Sequence, residues 1–334
     1  MIFVENNNVT NPRLNLALEE YIVRHFSTEN DYLLFYINEP SIIIGKNQIT
    51  IEEVNQAYID RNDIHVVRRV SGGGAVYHDF GNLNFSFITN HDVKKLHNFK
   101  KFTEPVIKVL NDLGIEAELK GRNDILVGEK KISGTAQFST GRRMISHGTL
   151  LLNTDLSEVV KALNVKPSKL ESKGHKSVRS RVANISEFLD NPLSIDEFRS
   201  LLLKGLYAEN EAFETHHLTT EEWTAVEKLK DEKYDTWDWN YGRAPKFNIQ
   251  NNKRFAVGEI DVRIFVEKGR IQEVKIFGDF FGKDPVKEIE QLLEGIPYDK
   301  ASIAKAINNV DVSQYFGALE KDDFINLIYH SNEV

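Results

Sequence analysis

The chain has no cysteine, which excludes disulfide bridges, thiolate metal sites and every mechanism that carries a group on a cysteine sulfur. It has no basic excess either. Lys and Arg number 42 against 50 Asp and Glu, a formal charge of −8, which argues against a general nucleic-acid binder without excluding nucleotides. No run approaches the roughly 18 apolar residues of a membrane span. The first residues, Met1 to Asn8, lack a basic segment followed by a long apolar one, so the expectation is a soluble cytoplasmic protein with no membrane partner. The common nucleotide-binding patterns are missing as well. Gly72 and Gly74 are followed by Tyr77 where a dinucleotide fingerprint has its third glycine. Gly278 to Lys283 imitates a phosphate loop, but with three spacers instead of four and Asp284 where Ser or Thr belongs.

What is present centres on Val66 to Ile88, where a β-branched run carrying Arg68 and Arg69 ends in Ser71 and three glycines, Gly72, Gly73 and Gly74. Consecutive glycines suit a backbone that turns through positive φ or lets something large approach. Strand alternation sends Arg68 and Arg69 to opposite faces, so one of them can reach a ligand. Exposed glycine amides with one guanidinium would seat phosphate or carboxylate oxygens, and a plain glycine-rich turn with solvated arginines is the competing reading.

At 334 residues the chain exceeds the usual span of about 100 to 200 residues for one domain, so two are expected. The aromatic segment Trp237 to Pro245 reads as their joint, giving a domain at 1–242 and a smaller one at 246–334. The first mixes strands and helices: a helix after Asn11-Pro12 with Leu14, Leu18, Tyr21, Ile22 and His25 on its apolar face, strands at Tyr32–Ile37 and Ile42–Ile44, one helix over Ile51–Tyr58, and a hairpin opened by His65–Val70. A helix at Phe102–Leu113 and four strands between Ala117 and Leu152 follow. The second domain reads as a small sheet, turning at Lys268-Gly269-Arg270, with three helices.

Two further stretches carry chemistry. In Gly121 to Gly134, period-two alternation lets Asp124 and Lys131 point into a common cleft, with Asn123 and Ser133 beside them. A carboxylate there can hold magnesium together with substrate phosphates, and a lysine can neutralise charge on an α-phosphate. In Ser146 to Asn153, Gly148 and Thr149 interrupt an apolar strand behind His147. Either a ligand approaches that backbone, or the glycine marks a β-bulge beside a satisfied histidine. The basic run from Lys173 to Arg181 is a solvated loop or an anion-binding strap.

Taken together, Arg68 to Asp79, Gly81 to Ser86, Gly121 to Asp124, Lys131 to Gly134, His147 to Leu151 and Ser177 to Val182 resemble the lipoate-protein ligase family in order and spacing. The resemblance implies an α+β fold: a mixed-sheet catalytic domain of the biotin/lipoate ligase-like (class II synthetase-like) type, then a small α+β accessory domain. It implies a two-step reaction, in which lipoate and ATP give lipoyl-adenylate and pyrophosphate and a lysine of an acceptor protein then takes the lipoyl group. Acceptors would be lipoyl domains of 2-oxoacid dehydrogenase E2 subunits or the glycine-cleavage H protein. By position, Arg69, Ser71 and Gly72 to Gly74 would line the lipoyl and phosphate site, Ala75 and Val76 would pack near the acyl tail, and His78 would close its apolar end. Asn82 or Asn84 would hold the loop or the nucleotide, Lys131 would be catalytic, and Asp124 and Asn123 would handle magnesium and phosphate. Ser133, His147, Gly148, Thr149 and Arg181 would meet the adenylate.

Val70, Val76, Phe85 and Phe87 are the apolar residues available to wall a tunnel. An acyl transferase working through cysteine fails for want of one. A biotin ligase lacks support, because Gly121-Arg122-Asn123-Asp124 stands where its Gly-Arg-Gly-Arg loop would be. A ligase preferring octanoate, or a non-catalytic lipoyl- or nucleotide-binding homologue, remains as the alternative.

Overall fold

Strand β1 (Ile2–Glu5) leads to Asn11, whose side chain accepts from the backbone N–H groups of Arg13 and Leu14 and, with Pro12 in the first turn, starts α1 (Pro12–His25). Next come β2 (Tyr32–Ile37), β3 (Ser41–Ile44), α2 (Thr50–Glu53), α3 (Gln56–Asn62), β4 (His65–Arg68), β5 (Val76–His78) and β6 (Asn82–Asn90). After α4 (Phe99–Asp112) stand β7 (Ala117–Lys120), β8 (Asp124–Val127), β9 (Lys130–Ser139) and β10 (Arg143–Leu151). They are followed by α5 (Leu156–Ala162), α6 (Ile195–Leu206), β11 (Thr215–His217), α7 (Thr220–Leu229), a π-helical turn at Lys230–Tyr234 and α8 (Trp237–Asn240). The structure, a computed structural model, describes residues 1–92, 98–164, 181–207, 213–242 and 247–329. The basic run up to residue 180 and the end of the aromatic joint lie outside them.

Packing divides the chain into two units. One comprises Met1–Ile44, Ile51–Arg69 and Ala75–Asn240; the other comprises Gly45–Thr50, Val70–Gly74 and Tyr241–Val334. In the first, eight strands lie in the order β11-β1-β2-β6-β10-β9-β8-β7. Pairing is parallel through β11, β1 and β2 and antiparallel from β2 to β7. This is the α+β mixed sheet that the sequence predicts. On one face Phe85, Phe87, Met144 and Leu150 pack with Phe102 and Val106 of α4 and Phe198 and Leu202 of α6. The other face is covered by α1, because Glu19 reaches His147, whose side chain alternates with the Phe85 side of the sheet.

Four expectations are corrected. His65–Val70 opens no hairpin: β4 and β5 both pair with β3, β4 parallel and β5 antiparallel, so β3 lies between them. The helix over Ile51–Tyr58 is two, interrupted where Asn55 caps α3 by accepting from the Tyr58 N–H. Phe85 and Phe87, expected as walls of an acyl tunnel, lie in the core under α4, on the sheet face opposite His147. In α1 the buried face carries Asn15, Glu19 and Glu20 beside Leu16, Leu18 and Ile22, whereas Leu14, Tyr21 and His25 are not buried.

In the second unit β12 (Ile249–Phe255), β13 (Gly258–Glu267) and β14 (Arg270–Gly278) form an antiparallel sheet. Lys268 (φ 50°) and Gly269 (φ 72°) are both left-handed, the pair of conformations a two-residue hairpin turn needs. Helices α9 (Lys287–Leu293), α10 (Lys300–Ala306), α11 (Val312–Phe316) and α12 (Lys321–Ile328) close a core around Val262, Ile264, Ile276, Phe316 and Phe324. Among the described residues no helix is long and apolar enough to cross a membrane.

Candidate active site

Strands β8 and β9 pair with Asp124 opposite Gly134 and Ile125 opposite Ser133, but Leu126 stands opposite Lys131, leaving Ile132 as a one-residue bulge. A bulge re-aims the side chains next to it, and here the Lys131 ammonium lies 2.8 Å from Asp124 Oδ1. Arg181 comes within 3.3 Å of Asp124 Oδ2, so one buried carboxylate bridges two cations. The Lys131 carbonyl accepts from the Ala183 N–H, which ties the segment after Arg181 to the same strand. Gly134 keeps the place open, since a Cβ there would stand 2.7 Å from Lys131 Nζ. Its N–H donates to Thr149 Oγ1 on β10. Asn123 is held against Thr135, donating to its carbonyl and accepting from its hydroxyl at 3.0 Å. The Ser133 hydroxyl is buried with no partner among the described residues.

The α1 face of the sheet holds a second group. Asn84 and Ser86 of β6 stand opposite Thr149 and His147 of β10. His147 Nδ1 is 2.9 Å from both oxygens of Glu19, and both side chains are buried. Asn82 donates to Asn84, which donates to the Tyr36 carbonyl. Arg69 is buried and donates to the Ile43 carbonyl. Burial pulls its guanidinium down to about 10, opposed by the proximity of Tyr36 and Glu19. His78 is 3% exposed. Its pKa falls to about 3 through burial first, and then through the proximity of Arg69 and His147. Arg68 is turned away from this group: its guanidinium donates to the carbonyls of Trp239 and Asn240, and the Trp239 indole donates back to its carbonyl.

Thus Lys131, Asp124, Arg181, Gly134 and Thr149 form one cluster, and Arg69, His78, His147, Asn82 and Asn84 a second, with His147 and Thr149 two residues apart on one strand. Ala75 and Val76 belong to the same unit and are half-buried. Ser71 and Gly72 to Gly74 group with the other unit. There the Ser71 carbonyl accepts from the Lys46 N–H at 2.8 Å. A Cβ on Gly72 would stand 2.5 Å from the Phe280 carbonyl oxygen, and Gly73 has φ +94°. Gly72 and Gly73 are buried rather than exposed, and the Phe280 backbone packs over Gly72.

Gly148 also has a packing role. The strand runs through it in unbroken register with β6, so there is no bulge in that pairing. A Cβ would lie 2.6 Å from Phe85 Cζ and 2.8 Å from Thr135 Cγ2, on the core side of the sheet. Gly148→Ala should therefore cost about 1–3 kcal/mol by overpacking, read as a lower urea midpoint at unchanged slope.

Sequence reasoning missed Glu19, Tyr36 and Asn38, whose Nδ2 lies 3.0 Å from His78 Nδ1. The available signal was a glutamate pair inside the apolar pattern of α1, since carboxylates are seldom fully buried unless paired.

The family model for the lipoyl protein ligase A/B catalytic domain matches residues 11–207, and that for the bacterial lipoate protein ligase C-terminus matches 244–328. Lipoate-protein ligase LplJ of Bacillus subtilis is 56% identical over 331 residues, 98% of this chain and 100% of that protein. LipL1 of P. falciparum, solved in complex with lipoate, superposes with a TM-score of 0.79 at 26% identity, covering 98% of this chain and 97% of that one. A lipoate-protein ligase A solved bound with ATP gives a TM-score of 0.61 at 36% identity, over 70% of this chain and 95% of that one. With both domain models in sequence order and a relative matched from end to end, the chain belongs to the lipoate-protein ligase family.

Proposed function

We propose that this chain is an ATP-dependent lipoate-protein ligase whose adenylation chemistry is run by Lys131. The observation that carries the reading is the Lys131 ammonium held on buried Asp124, with Gly134 reserving its space. In the first half-reaction the lipoate carboxylate attacks the α-phosphorus of ATP, and the bond to pyrophosphate breaks. Negative charge grows on the α-phosphate oxygens, and a pre-positioned ammonium stabilises it without reorganising. In the second, the amine of an acceptor lysine attacks the acyl carbonyl of the mixed anhydride, AMP leaves, and the amine proton goes to solvent. No nucleophile from the chain is needed, in keeping with the absence of cysteine. This half-reaction asks chiefly for positioning.

Asp124 is the carboxylate we assign to magnesium. A single carboxylate suits this ion when phosphates supply further oxygens, and the ion would supply charge neutralisation. Arg69, His78, Asn82, Asn84, His147 and Thr149 are assigned to the acyl and nucleotide site together with Ala75, Val76, Asn123, Ser133, Gly148 and Arg181. Ser71 and Gly72 to Gly74 are assigned from the family motif alone. Residues 1–242 would form the catalytic domain and 246–334 the accessory domain. The protein would work in the cytoplasm on lipoyl domains of 2-oxoacid dehydrogenase E2 subunits or on the glycine-cleavage H protein.

Incubating the full chain with lipoate, ATP and magnesium and a panel of such acceptors should release pyrophosphate and add one lipoyl group to a single acceptor lysine, seen by intact mass. Absence of lipoyl-adenylate and of acceptor modification across the panel would overturn the reading.

A further inference from the structure

His78 and its neighbours pose a question of proton placement. The ring is almost fully buried, its Nδ1 lies 3.0 Å from Asn38 Nδ2, and its Nε2 is buried with no hydrogen-bond partner among the described residues. Which nitrogen carries the proton follows from a chain of three carboxamides. The Val9 carbonyl can only accept, and it receives both Asn6 Nδ2 and Asn15 Nδ2 at 3.0 and 2.9 Å. The Ile37 carbonyl likewise receives Asn15 Nδ2 at 3.2 Å. With these nitrogens fixed, Asn15 Oδ1 accepts from Asn6, and Asn15 Nδ2 donates to Asn38 Oδ1 at 2.9 Å. Asn38 must then turn its NH2 toward His78. An amide nitrogen only donates, so Nδ1 is the acceptor and the proton of the neutral ring sits on Nε2. Burial, with Arg69 and His147 nearby, keeps the ring neutral at physiological pH.

We propose that Asn38, locked by Asn15 and Asn6, is a positioning residue that fixes His78 as an Nε2–H donor, and that this buried donor selects a dithiolane-bearing acyl chain over a plain alkyl chain. The inference rests on the assignment of the acyl chain to His78 made above. A dithiolane sulfur is a weak acceptor that can take the Nε2–H. An octanoyl chain, with methylene and methyl groups there, leaves the donor desolvated and unpaired, and an unmade buried hydrogen bond is costly. The arrangement thus deepens the ligase reading by naming what separates lipoate from octanoate, and it places Asn6, Asn15 and Asn38, none of which need touch substrate, in the machinery of selectivity.

Asn38→Asp is the informative change, because a carboxylate accepts from Nδ1 and pulls the proton there. Two measurements on the full chain decide. Nitrogen-15 NMR of the histidine rings should show His78 protonated at Nε2 in the parent protein and at Nδ1 in the variant. Adenylation rates, read as pyrophosphate release, should favour lipoate over octanoate by about tenfold in kcat/KM in the parent. That ratio should fall toward one in the variant, mainly through a higher KM for lipoate.

Protonation at Nδ1 in the parent overturns the proposal, as does a shifted tautomer with an unchanged ratio, or an equal loss on both acids, which a merely structural role would give. If the variant ring carries protons on both nitrogens, the donor survives and the ratio must hold at its parent value; a fall then overturns it. Failure of the ligase reading itself looks different: the parent protein would release no pyrophosphate with either acid, whatever the ring spectrum shows.

Discussion

Lys131→Ala lowers lipoyl-adenylate formation by about 10³-fold, or ~4 kcal/mol of transition-state stabilisation, while the protein stays folded. The two halves of this expectation have separate causes. The catalytic loss arises because the ammonium is the cation held on Asp124 where charge must be neutralised, and a truncated side chain leaves nothing to replace it at that distance. The fold survives because the pair is only partly buried, with the lysine side chain 24% exposed. Arg181 still faces the other Asp124 oxygen, so the carboxylate is not stranded as an unpaired buried charge. The expected change in stability is below about 1 kcal/mol, the range of partly exposed ion pairs. Pyrophosphate release and a thermal melt on the same preparation check both halves. Normal pyrophosphate release would remove Lys131 from the chemistry.

Gly134→Ala is the subtler experiment and the second largest expected effect. The added methyl would stand 2.7 Å from Lys131 Nζ and 3.0 Å from Cε, closer than atoms tolerate. What it strikes is the far end of a flexible side chain, which swings away at little cost. Gly134 is not among the glycines with positive φ, so alanine fits the strand and removes some freedom from the unfolded chain. The melting temperature should hold or rise slightly. Adenylation should fall by roughly 10²-fold, since displacement of a catalytic group by about 1 Å suffices for that. A variant with full activity would show that this ammonium position is not the working one. Lys131→Ala and Gly134→Ala should combine to no more than the lysine change alone, because both act through one group.

Much of the fold could be read along the chain, and the exceptions have identifiable causes. Strand β2 spans Tyr32–Ile37 as its apolar run puts it, and β13 turns into β14 at Lys268-Gly269 where the turn residues put it. Missed were β11, three residues that pair only because β1 offers an edge, and the separation of β4 from β5 by β3. Local patterns do not encode which distant strand comes between two others. The packing demands on glycines were hidden for a related reason. Gly148 and Gly72 read as places where a ligand meets backbone, and each also answers to a protein neighbour far away in sequence, Phe85 and Phe280. Of the candidate site, the meeting of Asp124 and Lys131 could be read from alternation, and the two side chains do meet. The contacts of Asn38 with His78 and of Glu19 with His147 could not, because they exist only after folding.

The second unit contains Gly45–Thr50 and Val70–Gly74 as well as the chain from Tyr241 onward. The Gly278 N–H donates to the Asn47 carbonyl, and the Phe280 carbonyl stands over Gly72. On the ribosome, the two early loops therefore emerge long before β14 is made and must wait for it. A fragment beginning at residue 244 would lack both, leaving the Gly278 N–H and the ground beside Phe280 open to water. Any scheme that cuts this protein after Tyr241, for split reporters or for swapping carboxyl-terminal parts between relatives, has to carry those two loops along with the part they pack against.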